Sequence, residues 1–125
     1  MISENGRKPE LVILVADDEP LVRNLVGAVL SDAGYRVLDA ADGEQALEMS
    51  RQYDGSIDFL LTDITMPKMS GIELATRLRN GHGAGSIPII LMSAVSNATK
   101  IPDAVYLPKP FDIDRVLELV TRLVP

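Results

Sequence analysis

The chain has 125 residues, 46% of them hydrophobic and 24% charged, which is typical of one globular domain with an ordinary core. Its formal net charge of −6 argues against direct binding to nucleic acid, because an acidic surface repels phosphate backbones. Cysteine is absent, which excludes disulfides and thiol chemistry, and no apolar run approaches the length of a membrane span.

The first residues are mostly polar and lack the apolar centre of a signal peptide. We therefore expect a flexible N-terminal arm over residues 1–10, followed by a single domain over residues 11–125. Without a targeting segment or a membrane span, the default expectation is a cytoplasmic protein with no membrane partner.

Five short apolar runs predict β-strands. They are rich in β-branched and large aliphatic residues, and most are continuous, as in parallel strands that are covered on both faces. The runs lie at residues 11–16, 35–38, 59–61, 88–92 and 104–107.

The first helix is predicted after the first strand. Pro20 suits its first turn, and Gly34 supplies the stop. Four apolar residues recur at helical spacing between these two positions. They are Leu21, Leu25, Ala28 and Val29.

Three further helices are indicated by capping residues. Asp42 with Gln45 predicts the start of the second helix, and the S-x-x-E pattern that begins at Ser70 predicts the third. Asp112 is the predicted cap of the last helix. The residues predicted on their apolar faces are Ala46, Leu47 and Ser50, then Ile72, Ala75 and Leu78, then Ile113, Val116, Leu117 and Val120.

The alternation of strands and helices predicts an α/β fold, a doubly wound, five-stranded parallel sheet with helices on both faces. One unit departs from this pattern. The segment between Ser93 and Lys109 is short, it has few apolar anchors, and Pro102 leaves little room for a helix of standard length. We predict that the helix between strands four and five is missing or reduced to about one turn.

Polar and charged residues follow the predicted strands at their carboxyl ends, which converge on one rim of a doubly wound sheet. Three acids brought together there repel one another unless a cation is bound, and oxygen ligands without His or Cys favour Mg²⁺. A cation beside an ammonium binds phosphoryl oxygens, and Asp63 is the natural acceptor for an aspartyl phosphate. The residues of this predicted site are Asp17, Asp18, Asp63, Ser93 and Lys109.

Five segments carry a family resemblance, and together they cover nearly everything after the first ten residues. The segments are LVILVADDEP, AADGEQALE, DFLLTDITMPKMSGIEL, PIILMSA and YLPKPF. They resemble the receiver domain of bacterial response regulators in two-component signalling, which is CheY-like with a flavodoxin-like fold. The resemblance implies that Asp63 accepts phosphate from the phosphohistidine of a sensor histidine kinase or a histidine phosphotransfer protein. It implies a protein that switches between two states and signals by contacting a protein partner. It also implies that the protein does not turn over a substrate.

The resemblance also implies a set of magnesium ligands. Asp18 and Asp63 would bind Mg²⁺ directly, together with the backbone carbonyl of Thr65. Asp17 would act mainly through water.

The resemblance further implies a role for the last two strand ends. Lys109 would contact the phosphate, and Ser93 would swing in to hydrogen-bond it while Tyr106 moves inward behind. The Lys109–Pro110 peptide bond would be cis.

Three alternatives to a phospho-accepting receiver stay open at this point. A phosphorylation-independent interaction module is favoured only by the unusual segment between Ser93 and Tyr106. A magnesium-dependent phosphatase would need an acid two residues after the nucleophile, where this chain has Thr65. A flavodoxin-like cofactor binder would need a phosphate-binding loop after the first strand, where this chain has acids.

Overall fold

A five-stranded parallel sheet forms the centre of the protein. The structure is a computed structural model, and it describes residues 10–53, 57–81, 87–94 and 104–123. The strands are β1 (Val12–Ala16), β2 (Arg36–Ala40), β3 (Phe59–Asp63), β4 (Ile89–Ser93) and β5 (Ala104–Pro108). Their order is β2–β1–β3–β4–β5 with every pairing parallel, which confirms the predicted flavodoxin-like sheet.

The described residues contain four helices, and they cover the two faces of the sheet. These are α1 (Pro20–Asp32), α2 (Gly43–Gln52), α3 (Gly71–Gly81) and α4 (Ile113–Leu123). Successive side chains of a strand point to opposite faces, so β1 contributes to both cores. Ile13 and Val15 pack with α1 and α4, whereas Val12 and Leu14 pack with α2 and α3. None of the described helices is long and apolar enough to cross a membrane.

The predicted helix caps are confirmed. The Asp42 Oδ1 atom accepts the Gln45 N–H at 2.8 Å, and the Gln45 side chain accepts the backbone N–H of Ala41 at 2.6 Å. The Ser70 hydroxyl oxygen accepts the N–H of Glu73 at 3.1 Å. These bonds satisfy N–H groups that have no partner inside the helix.

The buried face of α1 differs from the apolar residues that predicted this helix. Leu21 and Leu25 are 84% and 54% exposed. The buried residues are Val26, Gly27 and Leu30, with Val22 partly buried against the same core. Apolar residues occur on more than one side of α1, and the way it packs on the sheet decides which of them are covered.

Two predictions fall on residues that lie outside the described ranges. These are the N-terminal arm, apart from Glu10, and the missing or shortened helix, which concerns residues 95–103. The chain has only ten residues between the end of β4 and the start of β5. A parallel crossover usually takes about a dozen residues or more, so this length is consistent with a shortened helix.

The start of α3 packs directly against the end of β3. The N–H of Gly71 donates to the carbonyl of Ile64 at 2.8 Å. A Cβ atom at Gly71 would lie 2.0 Å from the carbonyl oxygen of Asp63. Only glycine permits so close an approach, and this approach sets the position of the loop after Asp63.

We predict opposite effects for two glycine-to-alanine substitutions. Gly71→Ala should lower the free energy of unfolding by about 2 kcal/mol or more, because its methyl group overlaps backbone atoms that cannot give way. Gly27→Ala, the control, places its Cβ 3.7 Å from Val37 inside α1 and should raise stability by up to about 1 kcal/mol. Urea unfolding of both variants measures this, and equal effects would contradict the prediction.

Candidate functional site

The carboxyl end of β1 carries the first two acids. Asp17 is fully buried, and its backbone N–H donates to the carbonyl of Ala40 at 3.1 Å. Its Oδ1 atom accepts the N–H of Glu19 at 2.9 Å, and its carbonyl accepts from the Arg23 guanidinium at 2.8 Å. Asp17 is thereby held by β2 and by the start of α1, while the neighbouring Asp18 is exposed.

The carboxyl end of β3 carries the third acid. Asp63 is the last residue of this strand, and its exposed fraction is 6%. Its carbonyl accepts the hydroxyl of Thr62 at 2.9 Å, and the N–H of the following Ile64 donates to the Met92 carbonyl at 2.9 Å. The backbone around Asp63 is therefore tied to β4.

The loop after Asp63 is held by the start of α2. Lys68 has a φ of 70°, in the left-handed region that non-glycine residues rarely adopt, and its ammonium lies 3.6 Å from the Asp42 carboxylate. A Cβ atom at Gly43 would lie 2.6 Å from the Met69 carbonyl oxygen, so this contact also requires glycine. These contacts fix the loop that begins directly after Asp63.

The carboxyl end of β5 leads into Lys109, whose ammonium contacts the carboxylates of the site. The N–H of Lys109 donates to the carbonyl of Ser93 at 2.7 Å, which links this residue to the end of β4. The peptide bond between Lys109 and Pro110 is cis, as the family resemblance implied.

The Lys109 ammonium lies among three carboxylates. Its Nζ atom is 3.0 Å from Asp17 Oδ2, 3.3 Å from Glu19 Oε1 and 3.4 Å from Asp63 Oδ2. The Lys109 side chain is largely buried, and Asp17 is completely so. Such a pair would leave a costly unpaired charge if either partner were removed.

The three acids meet as the sequence predicted. Asp17, Asp18 and Asp63 are here called the acidic cluster. One carboxylate oxygen from each of these residues lies within 4.8 Å of the other two. Oxygen ligands without nitrogen or sulfur are what a hard divalent cation prefers, so the acidic cluster could hold such a cation.

Burial changes the protonation of this site. Burial raises the pKa of the Asp63 carboxyl to about 6; Lys109 opposes this rise, and the negative charge of Asp17 adds to it. Burial by itself would lower the pKa of Lys109, but the hydrogen bond and charge of Asp17 outweigh that effect and raise it. The Lys109 ammonium therefore remains a cation, while burial disfavours the charged form of the Asp63 carboxyl.

The other predicted residues lie on the neighbouring strands. Ser93 is buried at the end of β4, one residue beyond the Met92 that pairs with Asp63. Tyr106 lies in β5, half-buried against the core shared with α2 and α3. Thr65 is exposed, two residues after Asp63 in the loop.

Two residues of the site were missed in the sequence. Glu19 contacts Lys109, and Gly71 permits the close approach of α3 to Asp63. Gly71 belongs to the segment DFLLTDITMPKMSGIEL, which carries the family resemblance, so its position could have indicated a role in the site. Nothing in the local pattern around Glu19 indicated a contact with a residue 90 positions away.

The fold and the site define a class, a doubly wound α/β protein with an acidic, cation-compatible cluster at the carboxyl ends of its parallel strands. The family model described as "Response regulator receiver domain" matches residues 13–121. The chain therefore belongs to the response-regulator receiver-domain family, and the resemblance carried by its motifs is confirmed.

Curated relatives are similar over most of this chain. The transcriptional regulatory protein CpxR of Escherichia coli (strain K12) is 38% identical over 117 residues, which cover 89% of this chain and 47% of that protein. The DNA-binding dual master transcriptional regulator RpaA of Synechocystis sp. is 32% identical over 120 residues, with 89% and 48% covered. The chain thus spans about half the length of these relatives.

Solved structures show the same fold. The receiver domain of the hybrid histidine kinase CckA has a TM-score of 0.78 and 34% identity, covering 91% of this chain and 99% of that one. TrrA from Thermotoga maritima, in complex with Mg²⁺–BeF, has a TM-score of 0.76 and 35% identity, covering 90% and 98%. A chain of the CheX–CheY–BeF3–Mg²⁺ complex from Borrelia burgdorferi has a TM-score of 0.80 and 27% identity, covering 97% and 93%.

The raised pKa of Asp63 predicts a pH-dependent stability in the absence of divalent cations. A carboxyl whose pKa rises from 3.8 to about 6 on folding stabilises the protein below about pH 4, and this contribution is lost as the pH rises through about 6. Asp63→Asn cannot ionise. Its free energy of unfolding should therefore rise relative to the wild type by about 2 kcal/mol between about pH 4 and pH 7, since one pKa unit corresponds to about 1.4 kcal/mol.

Urea unfolding with a chelator present, at a series of pH values, measures this difference. Asp32→Asn at the exposed end of α1 is the matched control, and its difference from the wild type should change less than that of Asp63→Asn over the same range. A constant difference for Asp63→Asn would contradict the prediction.

Proposed function

We propose that this chain is a phospho-accepting receiver of a two-component phosphorelay. In this proposal Asp63 takes a phosphoryl group from the phosphohistidine of a sensor histidine kinase or a histidine phosphotransfer protein. The observation that carries the proposal is the Asp63 carboxylate, held at a strand end within 3.4 Å of the Lys109 ammonium and inside the acidic cluster. Membership of the receiver family supports it.

The nucleophile of the proposed reaction is the ionised Asp63 carboxylate. An Asp63 oxygen attacks the phosphorus atom of the donor, and a P–O bond forms while the P–N bond breaks. The electron pair of the broken bond returns to the imidazole nitrogen of the donor. No proton leaves Asp63, because it attacks in its ionised form. Lys109 would then donate to an oxygen of the transferred group, where negative charge is concentrated.

The residues present fit a magnesium ion. Asp18, Asp63 and the Thr65 carbonyl would bind it directly, with Asp17 acting through water. Both carboxylate oxygens of Asp17 already accept hydrogen bonds, from Glu19 and Lys109, which supports an indirect role for this residue. When bound, Mg²⁺ would neutralise negative charge on the phosphoryl oxygens.

We assign the conformational response to Ser93 and Tyr106. The Ser93 hydroxyl would turn toward the phosphoryl group, and Tyr106 would move inward behind it. The hydrogen bond from the Lys109 N–H to the Ser93 carbonyl supports a coupling, because it joins the phosphate-contacting residue to the end of β4.

We propose that residues 11–125 act as the receiver domain and that the protein works in the cytoplasm. The domain switches a protein partner and neither turns over a substrate nor binds nucleic acid itself. Its negative net charge supports the last point.

We propose a docking surface for the phosphodonor protein at the start of α1, which begins two residues after Asp18 in the chain. Leu21 and Leu25 on α1 are the exposed large hydrophobic residues of the described chain. A shallow cavity of about 370 Å³ adjoins the same helix start, and it is lined by Glu19, Val22, Ala94, Lys109, Pro110 and Phe111. Covering large apolar side chains removes their surface from water and so stabilises an interface, which supports contact of the donor with this surface.

Incubation with acetyl phosphate tests the acceptor chemistry. With Mg²⁺ the wild type should gain one phosphoryl group by mass spectrometry, and a chelator should prevent this. Asp63→Asn should gain none, whereas the control Asp32→Asn should behave as the wild type. An unmodified wild type, or partner binding that is indifferent to Asp63→Asn, would favour the alternative of a phosphorylation-independent interaction module.

The docking surface is tested with a kinase or phosphotransfer protein that phosphorylates the wild type. Replacing both Leu21 and Leu25 by serine should slow this transfer by about fivefold or more, because fully burying a leucine side chain contributes about 1.5–3 kcal/mol and a loss of about 1 kcal/mol is already about fivefold. Phosphorylation by acetyl phosphate is the internal control and should stay unchanged. An equal loss with both donors would contradict a role in docking.

A further inference from the structure

Glu19 has a side chain that takes no part in its own helix. It is the N-cap residue of α1, with φ of −88° and ψ of 112°, a position usually filled by Ser, Thr, Asp or Asn. The Glu19 carboxylate makes no capping hydrogen bond. Both backbone polar groups of Glu19 form hydrogen bonds. Its N–H donates to the Asp17 carboxylate, and its carbonyl accepts from the Arg23 N–H at 3.0 Å.

The Glu19 carboxylate instead contacts Lys109 at 3.3 Å. An ammonium group has three donors, and Lys109 lies near three carboxylates, those of Asp17, Glu19 and Asp63. Hydrogen bonds to Asp17 and Glu19 use two of these donors before any phosphoryl group arrives, and the Asp63 carboxylate lies 3.4 Å away as an ion-pair partner. A phosphoryl group on Asp63 adds oxygens that compete for the same ammonium, and a turn of Lys109 toward them weakens its hydrogen bond to Asp17 or to Glu19.

The exposure of Asp17 and Glu19 indicates which of their contacts weakens. Asp17 is buried, and leaving its charge unpaired would be costly, whereas the contact of Lys109 with Asp63 passes to the phosphoryl group that Asp63 then carries. The Glu19 side chain is 61% exposed, so water can replace Lys109 as its partner at little cost.

We propose that Glu19 is a positioning residue that holds Lys109 while Asp63 is unmodified and competes with the phosphoryl group for this ammonium. The proposal rests on the proposed function of Asp63, and it concerns the regulation of that reaction. Removing the Glu19 carboxylate leaves Lys109 free to turn toward the phosphoryl oxygens. Phosphorylation by a small donor should then become faster.

A purely structural role makes a different prediction. A negative charge at a helix N-terminus stabilises the helix through its dipole, and this alone could explain a glutamate at position 19. Glu19→Gln removes the charge and supplies no good cap. Glu19→Ser also removes the contact with Lys109, but it supplies a favoured N-cap. The two variants therefore separate helix stability from the release of Lys109.

The experiment measures the rate of Asp63 phosphorylation by acetyl phosphate with Mg²⁺, together with urea unfolding of each variant. Glu19→Gln and Glu19→Ser should both be phosphorylated about two- to fivefold faster than the wild type, which is the range expected for an exposed ion pair. The serine variant should show this gain although it is the more stable of the two. Glu44→Gln, which removes an acid from the first turn of α2, is the control and should match the wild type.

A double variant tests whether Glu19 acts through Lys109. In a Lys109→Met background, Glu19→Gln should change the phosphorylation rate by less than about 1.5-fold, because the shared partner is gone. A gain that persists there would overturn the proposal in favour of simple repulsion between Glu19 and the anionic donor.

The remaining outcomes separate the two proposals. A wild type that takes up no phosphate defeats the proposed function. A wild type that is phosphorylated, with Glu19→Gln and Glu19→Ser at the wild-type rate, overturns the role of Glu19 alone. Rates that follow the unfolding free energies of the variants would also overturn it, because helix stability would then explain them.

Discussion

The ion pairing of Lys109 with the buried acids is the interaction on which this site depends. Asp17 and Asp63 carry negative charge in places that water hardly reaches, and Lys109 is the cation that lies among them. Burying such charges is tolerable only when they are paired and hydrogen-bonded. The hydrogen bond between Lys109 and Asp17 joins residues 92 positions apart, so it exists only once the sheet has assembled.

Parallel strand pairing provides the geometry for this ion pairing. β1, β3 and β5 all end at the same edge of the sheet, and each contributes at least one charged residue there. The backbone beyond β3 is then fixed by close contacts, of Gly71 with the Asp63 carbonyl and of Gly43 with the Met69 carbonyl. A nucleophile held this firmly needs little reorganisation when a donor arrives.

Much of this arrangement followed from local patterns in the sequence. The five strands, the caps at Asp42 and Ser70 and the convergence of the three acids were all predicted, because apolar runs and capping residues act over a few positions. The buried face of α1 was not, because Leu21 and Leu25 are as apolar as Val26 and Leu30. The contact between Glu19 and Lys109 was also missed, since it depends on how α1 begins against the end of β5.

By itself, the sequence determined the class of fold and the residue types at the strand ends. Hydrophobic periodicity and the positions of Pro, Gly and Asp are local properties, so they can be read from the sequence without knowing how the helices and strands pack. Only the tertiary structure decided which side of α1 is exposed, which acids share the Lys109 ammonium and how far burial raises the pKa of Asp63. These properties depend on distances and on exclusion of water, which arise when distant segments pack together.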